Sequence, residues 1–110
     1  MAPLRCHSAP VEKRRPHHPL GRIKAELSSV STLRITRTAL TCAATLDIAL
    51  EDIVAIIHSL APRHFYKSMT SQFSSAVWQD VYHVPWRRTV LYVKFTTDAE
   101  GYLLISFKEK

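Results

Sequence analysis

The stretch TVLYVKFTTDAEGYLLISFK (89–108) predicts a β-hairpin and decides the class of fold. Two of its segments, Thr89–Thr97 and Tyr102–Lys108, are rich in β-branched and aromatic residues and long enough to form strands. The four residues between them end in Gly101, and a glycine late in the loop is typical of a hairpin turn. The C-terminal part of the chain is therefore predicted to form an antiparallel sheet.

The alternation of side chains in this hairpin defines two faces. Apolar residues recur at every second position on the face that must be covered: Leu91, Val93, Phe95, Leu103, Ile105 and Phe107. The intervening residues share the opposite face: Tyr92, Lys94, Ser106 and Lys108. The sequence thus predicts an open sheet face that presents a phenol and two ammonium groups.

Two further strands are predicted upstream, at His64–Thr70 and Val77–Val84. Their phase is ambiguous, because Lys67 and Gln79 each alternate with apolar residues rather than with polar ones. If both strands turn these two residues toward the open face, that face gains an amide and another cation.

Apolar residues at helical spacing predict three helices ahead of the strands. The first begins at Pro19, the second follows Thr36 as its N-cap, and the third begins at Asp47 and is stopped by Pro62. The third carries the widest apolar stripe: Leu50, Ile53, Val54, Ile57 and Leu60. Helices followed by a meander of strands predict an α+β fold, in which the N-terminal helices pack on one face of an antiparallel β-sheet.

Charge and proline are concentrated at the start of the 110-residue chain. Fifteen Lys and Arg against nine Asp and Glu give a formal net charge of +6, and the whole excess lies within residues 1–37. We expect residues 1–18 to be a disordered basic arm and residues 19–110 to form a single domain. A basic chain of this kind favours a polyanionic partner.

The composition also excludes several classes of protein. No apolar stretch is long enough to span a membrane, and two cysteines cannot build a disulfide-dense secreted scaffold. Two glycines do not make a glycine-rich phosphate loop, and the six histidines are not placed with the cysteines at the spacing of a zinc finger. We therefore expect a cytoplasmic protein with no membrane contact, no cofactor and no metal site.

The open face holds the parts needed to cleave RNA without a metal. Such cleavage needs a base for the ribose 2′-hydroxyl, an acid for the departing 5′ oxygen, and cations for the negative phosphorane. Lys67 and Lys108 supply charge, and proximity to another cation would lower a lysine's pKa toward the role of base. Tyr92 exchanges a proton, and Gln79 binds a phosphate oxygen, a ribose hydroxyl or a base edge.

Further side chains are candidates for holding the rest of an RNA chain. Arg87 and Arg88 lie between two predicted strands, where they would grip the flanking phosphates, and Lys94 lies on the open face itself. Tyr66 is a candidate platform for stacking an unpaired base. The same features fit a non-catalytic RNA- or DNA-binding regulator, and spacing alone does not separate the two functions.

Several short motifs are distinctive: FYKSM (65–69), WQDVY (78–82), VLYVK (90–94) and SFKEK (106–110), with EKRRPHHPL (12–20), TRTAL (36–40) and IIHSL (56–60). Together they resemble the MqsR family of motility quorum-sensing regulator toxins. The motifs follow the family's order at near-constant spacing and cover residues 12–110. The segment HVPWRR (83–88) departs from the family pattern, which makes base preference the least transferable property.

The resemblance implies a type II toxin: an mRNA endoribonuclease of RelE-like microbial ribonuclease architecture that cleaves at short GC-containing, GCU-like sites. It implies that the enzyme needs no metal and that its partner is an MqsA-like antitoxin that binds zinc and DNA, so that DNA is met only through the toxin–antitoxin complex. The family's site residues fall on Lys67, Gln79, Tyr92 and Lys108 of this chain. A degenerate toxin, kept only to bind its antitoxin, is the alternative within the family.

Overall fold

The computed structural model describes residues 11–71 and 74–109, which form three helices and a five-stranded sheet. The helices are α1 (Leu20–Glu26), α2 (Arg37–Thr45) and α3 (Leu50–Ser59). The strands are β1 (Glu12–Lys13), β2 (Phe65–Ser71), β3 (Ser74–Trp86), β4 (Thr89–Thr97) and β5 (Leu103–Glu109). Short 3₁₀ turns lie at Val30–Thr32 and Pro62–His64.

The sheet is a meander in which the strands keep the order β1-β2-β3-β4-β5 and all neighbours are antiparallel. The hairpin of β4 and β5 has the predicted turn, with Gly101 in a left-handed conformation at φ 87°. At the outer edge of β5, Ile35 makes a parallel bridge to Ile105, where the N–H groups of Thr36 and Ile105 donate to the carbonyls of Ile105 and Arg34. This bridge ties the start of α2 to the sheet.

All three helices pack on one face of the sheet, which confirms the predicted α+β class. The alternating apolar residues of β4 and β5 are buried against the helix residues, and the core includes Ile23, Leu27, Ile53, Ile57, Leu91, Val93, Phe95, Leu103, Ile105 and Phe107. Within the described residues, no helix has the length and apolarity that crossing a membrane requires. The other face of the sheet carries no helix among these residues and holds the candidate site.

Two helix boundaries differ from the prediction. The third helix begins at Leu50 rather than Asp47, because Asp47 adopts a left-handed conformation with φ 57°, which a helix cannot contain. Ala49 is the N-cap instead, and its N–H donates to the Asp52 carboxylate at 2.9 Å. The first helix ends at Glu26, although the apolar spacing that starts at Leu20 extends to Val30, which lies exposed in a 3₁₀ turn.

The predicted disordered arm is wrong for residues 11–18, while residues 1–10 lie outside the described residues. Glu12 and Lys13 pair with Met69 and Ser68 as strand β1. The Val11 N–H donates to the Thr70 hydroxyl, and the Thr70 N–H donates to the Val11 carbonyl, both at 2.8 Å. A segment that is too short and too polar to show a periodic pattern is thus added to the edge of the sheet.

The arm segment, residues 11–18, is fastened by the fully buried carboxylate of Asp80. Its Oδ1 accepts hydrogen bonds from the His17 N–H at 3.0 Å and the Ser68 hydroxyl at 2.6 Å, and its Oδ2 accepts one from the His18 N–H at 2.7 Å. On the same side, the Lys13 ammonium lies 4.1 Å from the centre of the Trp78 ring. A buried carboxylate is tolerated here because all three donors satisfy it.

Thr36 forms the predicted N-cap of α2, and its removal has a measurable cost. Its hydroxyl oxygen accepts a hydrogen bond from the Ala39 N–H at 3.1 Å. We expect Thr36→Ala to lower the free energy of unfolding by about 1 kcal/mol, the usual cost of losing such a cap. Thermal unfolding measures this, with Thr38→Ala as the control, because Thr38 is exposed in the first turn of the same helix. Equal losses in the two variants would show that Thr36 does not act as a cap.

Candidate active site

A pocket of about 210 Å³ lies on the open face of the sheet, over the middle three strands and β5. It is lined by side chains from four strands: Tyr66, Lys67, Met69, Val81, Tyr92, Lys94 and Lys108. Three lysines and two tyrosines surround a floor formed by Met69 and Val81. Such a pocket is suited to an anion that carries a planar or apolar group.

A β-bulge in β2 explains why the phase of this strand is ambiguous in the sequence. Phe65 is paired with Tyr82 and Lys67 with Val81, so the register shifts between Phe65 and Lys67. Because of this extra residue, Tyr66 and Lys67 both line the pocket although they are adjacent in sequence. Phe65 instead packs edge-on against Tyr82, with ring centres 5.5 Å apart, in the core.

The hairpin of β4 and β5 positions Tyr92 and Lys108 directly opposite each other. The Lys108 ammonium lies 5.8 Å from the centre of the Tyr92 ring. Lys94 follows two positions later on the same face, opposite Ser106 of β5 and Val81 of β3. The strict alternation of these two strands thus brings together the phenol and both cations, as the sequence predicts.

Lys67 forms an ion pair with Glu12 of the arm segment. Its Nζ donates to the Glu12 Oε2 at 2.6 Å, and the Lys67 and Glu12 side chains are 21% and 48% exposed. The hydrogen bond to Glu12 is the main reason that the pKa of Lys67 is raised above its usual value. The suggested lowering of a lysine pKa toward a base role therefore does not hold for Lys67, which stays protonated at neutral pH.

Aromatic rings from three strands stack side by side beneath the lysines. The His83 ring lies 4.3 Å from Tyr66 in a stacked arrangement and 4.6 Å from Tyr92 in a tilted one, measured between ring centres. His83 pairs with Tyr92 in the register of β3 and β4. The imidazole thereby holds the two pocket tyrosines at a fixed separation.

The other predicted site residues lie outside the pocket. Gln79 pairs with Met69 on the open face, next to the pocket rather than in its lining. Arg87 has a left-handed backbone with φ 55°, and its guanidinium donates to the Leu46 and Asp47 carbonyls at 3.3 Å, on the helix side of the sheet. Arg88 is exposed in the same turn.

Two residues near the pocket are absent from the site that the sequence predicts. Glu12 falls within the predicted disordered arm, and no local pattern marks a residue whose ion-pair partner, Lys67, lies 55 residues away. The position of His83 can be inferred from the sequence, because it lies two and four residues after Val81 and Gln79 in β3 and therefore faces the same side of the sheet. In the part of the chain that the structure describes, no group of three or more His, Cys, Asp or Glu side chains could hold a metal ion.

Comparison with known proteins identifies the family to which these features belong. Residues 15–109 match the family model described as "Motility quorum-sensing regulator, toxin of MqsA". The chain is also 37% identical over 100 residues to the mRNA interferase toxin MqsR of Escherichia coli (strain K12), an alignment that covers 91% of this chain and 100% of that protein. The family match includes every residue that lines the pocket.

Proposed function

Because the chain belongs to the family of motility quorum-sensing regulator toxins, we propose that it is an mRNA interferase that cleaves messenger RNA in the pocket on the open sheet face. The observation that carries this proposal is the pocket itself, in which Lys67, Tyr92 and Lys108 meet from three strands. Two ammonium groups and a phenol around one small cavity match the demands of a phosphate that becomes more negative as it reacts.

In this proposal the cations and the phenol have separate roles. Lys67 and Lys108 bind the nonbridging oxygens of the scissile phosphate and stabilise the additional charge of the phosphorane. The Tyr92 hydroxyl donates its proton to the departing 5′ oxygen. Gln79, at the border of the pocket, binds a neighbouring phosphate, ribose or base edge of the same RNA chain.

The surroundings of the pocket supply contacts for the flanking nucleotides. Lys94 lines the pocket next to Tyr92 and binds an adjacent phosphate. Tyr66, which is 39% exposed and backed by His83, offers its outer face for stacking an unpaired base. Arg88 binds RNA beyond the turn of β3 and β4, and Arg87 joins it if the guanidinium leaves its carbonyl partners.

The substrate sites and the partner are proposed from family membership. Cleavage takes place at short GC-containing sites such as GCU, without a metal ion, and in the cytoplasm. Its inhibitor is a cognate antitoxin, an MqsA-like protein that binds zinc and DNA, and the toxin meets DNA only within that complex. The segment HVPWRR (83–88) departs from the family pattern beside the pocket, so the preferred bases differ in detail.

A cleavage assay on a defined mRNA tests the proposed function. We expect the purified protein to cut the mRNA at discrete sites in the presence of EDTA, leaving 2′,3′-cyclic phosphate and 5′-hydroxyl ends. Lys67→Ala should remove these cuts and relieve growth arrest on expression, whereas Lys24→Ala, a change on α1 away from the pocket, should alter neither. Intact RNA that migrates more slowly in a gel would instead identify a non-catalytic binding protein.

A further inference from the structure

The described lining of the pocket contains no group that readily accepts a proton at neutral pH. Its lysines are ammonium groups with donors only, and the pKa of Lys67 is raised further by its carboxylate partner. A tyrosine phenol ordinarily ionises only near pH 10 and is a weak base before that (about 10 is the usual pKa). Attack by a ribose 2′-hydroxyl needs a base, which must therefore come from the rim of the pocket.

Glu12 lies at this rim and is accessible. Strand β1 pairs it with Met69, a residue of the pocket floor, so the side chains of Glu12 and Met69 share the open face. Its Oε2 lies 2.6 Å from the Nζ of Lys67, and its side chain is 48% exposed. A substrate phosphate bound to the Lys67 ammonium would thus lie on the same ammonium group as this carboxylate.

The other groups of suitable chemistry are turned away or shielded. Asp80 is an acid of β3, but its carboxylate is buried on the helix side beneath the arm segment. The Nε2 atom of His83 is hidden from solvent, and the imidazole ring packs against the rings of Tyr66 and Tyr92. By strand register, Glu12 is the only carboxylate on the open face among residues 11–71 and 74–109.

We infer that Glu12 is the general base of the cleavage reaction, an inference that rests on the proposed function. The Glu12 carboxylate takes the proton of the ribose 2′-hydroxyl while the 2′ oxygen forms a bond to phosphorus. The bond from phosphorus to the 5′ oxygen then breaks, and the Tyr92 hydroxyl gives its proton to that oxygen. The products are a 2′,3′-cyclic phosphate and a 5′-hydroxyl, and exchange with water returns Glu12 and Tyr92 to their starting forms.

Lys67 lies between the Glu12 carboxylate and the bound phosphate, and its positive charge offsets the repulsion between these two anions. An ammonium group has three donors, so Lys67 can hold Glu12 and a phosphate oxygen at the same time. The arm segment supplies the base and the sheet supplies the cations. The fastening of the arm at Asp80 therefore determines the position of the base as well as the edge of the sheet.

The test compares Glu12→Gln and Glu12→Asp with the wild type on a short RNA and on the same RNA with a 2′-deoxyribose at the cleavage site. We expect Glu12→Gln to lower kcat about 100-fold or more, the usual contribution of a general base. Glu12→Asp should retain part of the rate. Both variants should bind the uncleavable RNA at least as tightly as the wild type, because no negative charge is gained near the phosphate. Glu100→Gln, in the exposed β4–β5 turn, is the matched control and should behave like the wild type.

The outcomes separate this inference from the proposed function. A wild type that leaves the RNA intact would reject the proposed function itself. A cutting wild type with an unchanged or increased kcat in Glu12→Gln would reject Glu12 as base and make it a counter-ion of Lys67 only. An equal loss of RNA binding and of kcat would likewise overturn it. Thermal unfolding of each variant distinguishes a lower rate of cleavage from a loss of folded protein. If Glu12→Gln is unstable, Glu12→Asp serves as the test variant in its place.

Discussion

The Tyr92→Phe variant is expected to lose RNA cleavage by at least about 100-fold in kcat, which is the usual scale for removing a general acid. Only the hydroxyl is deleted, so the ring keeps its position beside His83 and opposite Lys108. KM should change little, because the lysines that bind phosphate remain. The rate of appearance of the 5′-hydroxyl product measures the effect, and bacterial growth on expression should be restored in parallel.

The matched control is Tyr102→Phe, which removes the same atom from an exposed tyrosine beyond the pocket. Its rate and toxicity should equal those of the wild type. If Tyr92→Phe cleaves at the wild-type rate while Tyr92→Ala does not, the ring matters and the hydroxyl does not. That result would reject the proton-donor role but would keep Tyr92 as part of the pocket wall.

The Asp80→Asn variant is expected to be destabilised by about 3 kcal/mol or more, since hydrogen bonds to a charged group contribute about 1.5–3 kcal/mol each. Both carboxylate oxygens of Asp80 accept, one from the His18 N–H and the other from the His17 N–H and the Ser68 hydroxyl. In either orientation, the Asn amide group places its NH₂ against a backbone N–H. The melting temperature should fall by more than about 10 °C for a domain of this size.

Detachment of the arm segment should accompany this loss of stability. Arg14 is exposed and is not followed by proline, so limited trypsin digestion after Arg14 should be faster in Asp80→Asn than in the wild type. Glu51→Gln, an exposed acid of α3, is the control and should change neither property. A variant of Asp80 with wild-type melting and unchanged digestion would show that the carboxylate does not fasten the arm.

Regular alternation is the part of this fold that the sequence predicts well. In β4 and β5, buried apolar residues recur at every second position, so the sequence alone assigns Tyr92, Lys94 and Lys108 to the opposite face, where they lie in the sheet. The N-cap at Thr36 is equally visible in the sequence, because a threonine directly before an apolar helical run is a typical N-cap residue. Local physical preferences and the final fold agree at these positions.

Prediction fails where distant parts of the chain determine local structure. The bulge in β2 places Tyr66 and Lys67 on the same face, which strict alternation forbids. Glu12 acquires its neighbours from a strand more than 50 residues away. The arm segment that contains it is held by the carboxylate of Asp80, which is buried rather than exposed. A left-handed backbone directs the Arg87 guanidinium to carbonyls of the α2–α3 connection, a distant contact that no local pattern in the sequence indicates.

The position of Glu12 in the first strand and Lys108 in the last has a consequence for the timing of activity. A chain is made from its N-terminus, and β1 has no partner until β2 exists. The hydrogen bonds from the arm segment to Asp80 can form only after β3 has been made, and Lys108 is added with β5. A nascent chain that has not yet reached β5 lacks Lys108, so the proposed site can form only after all five strands have been synthesised.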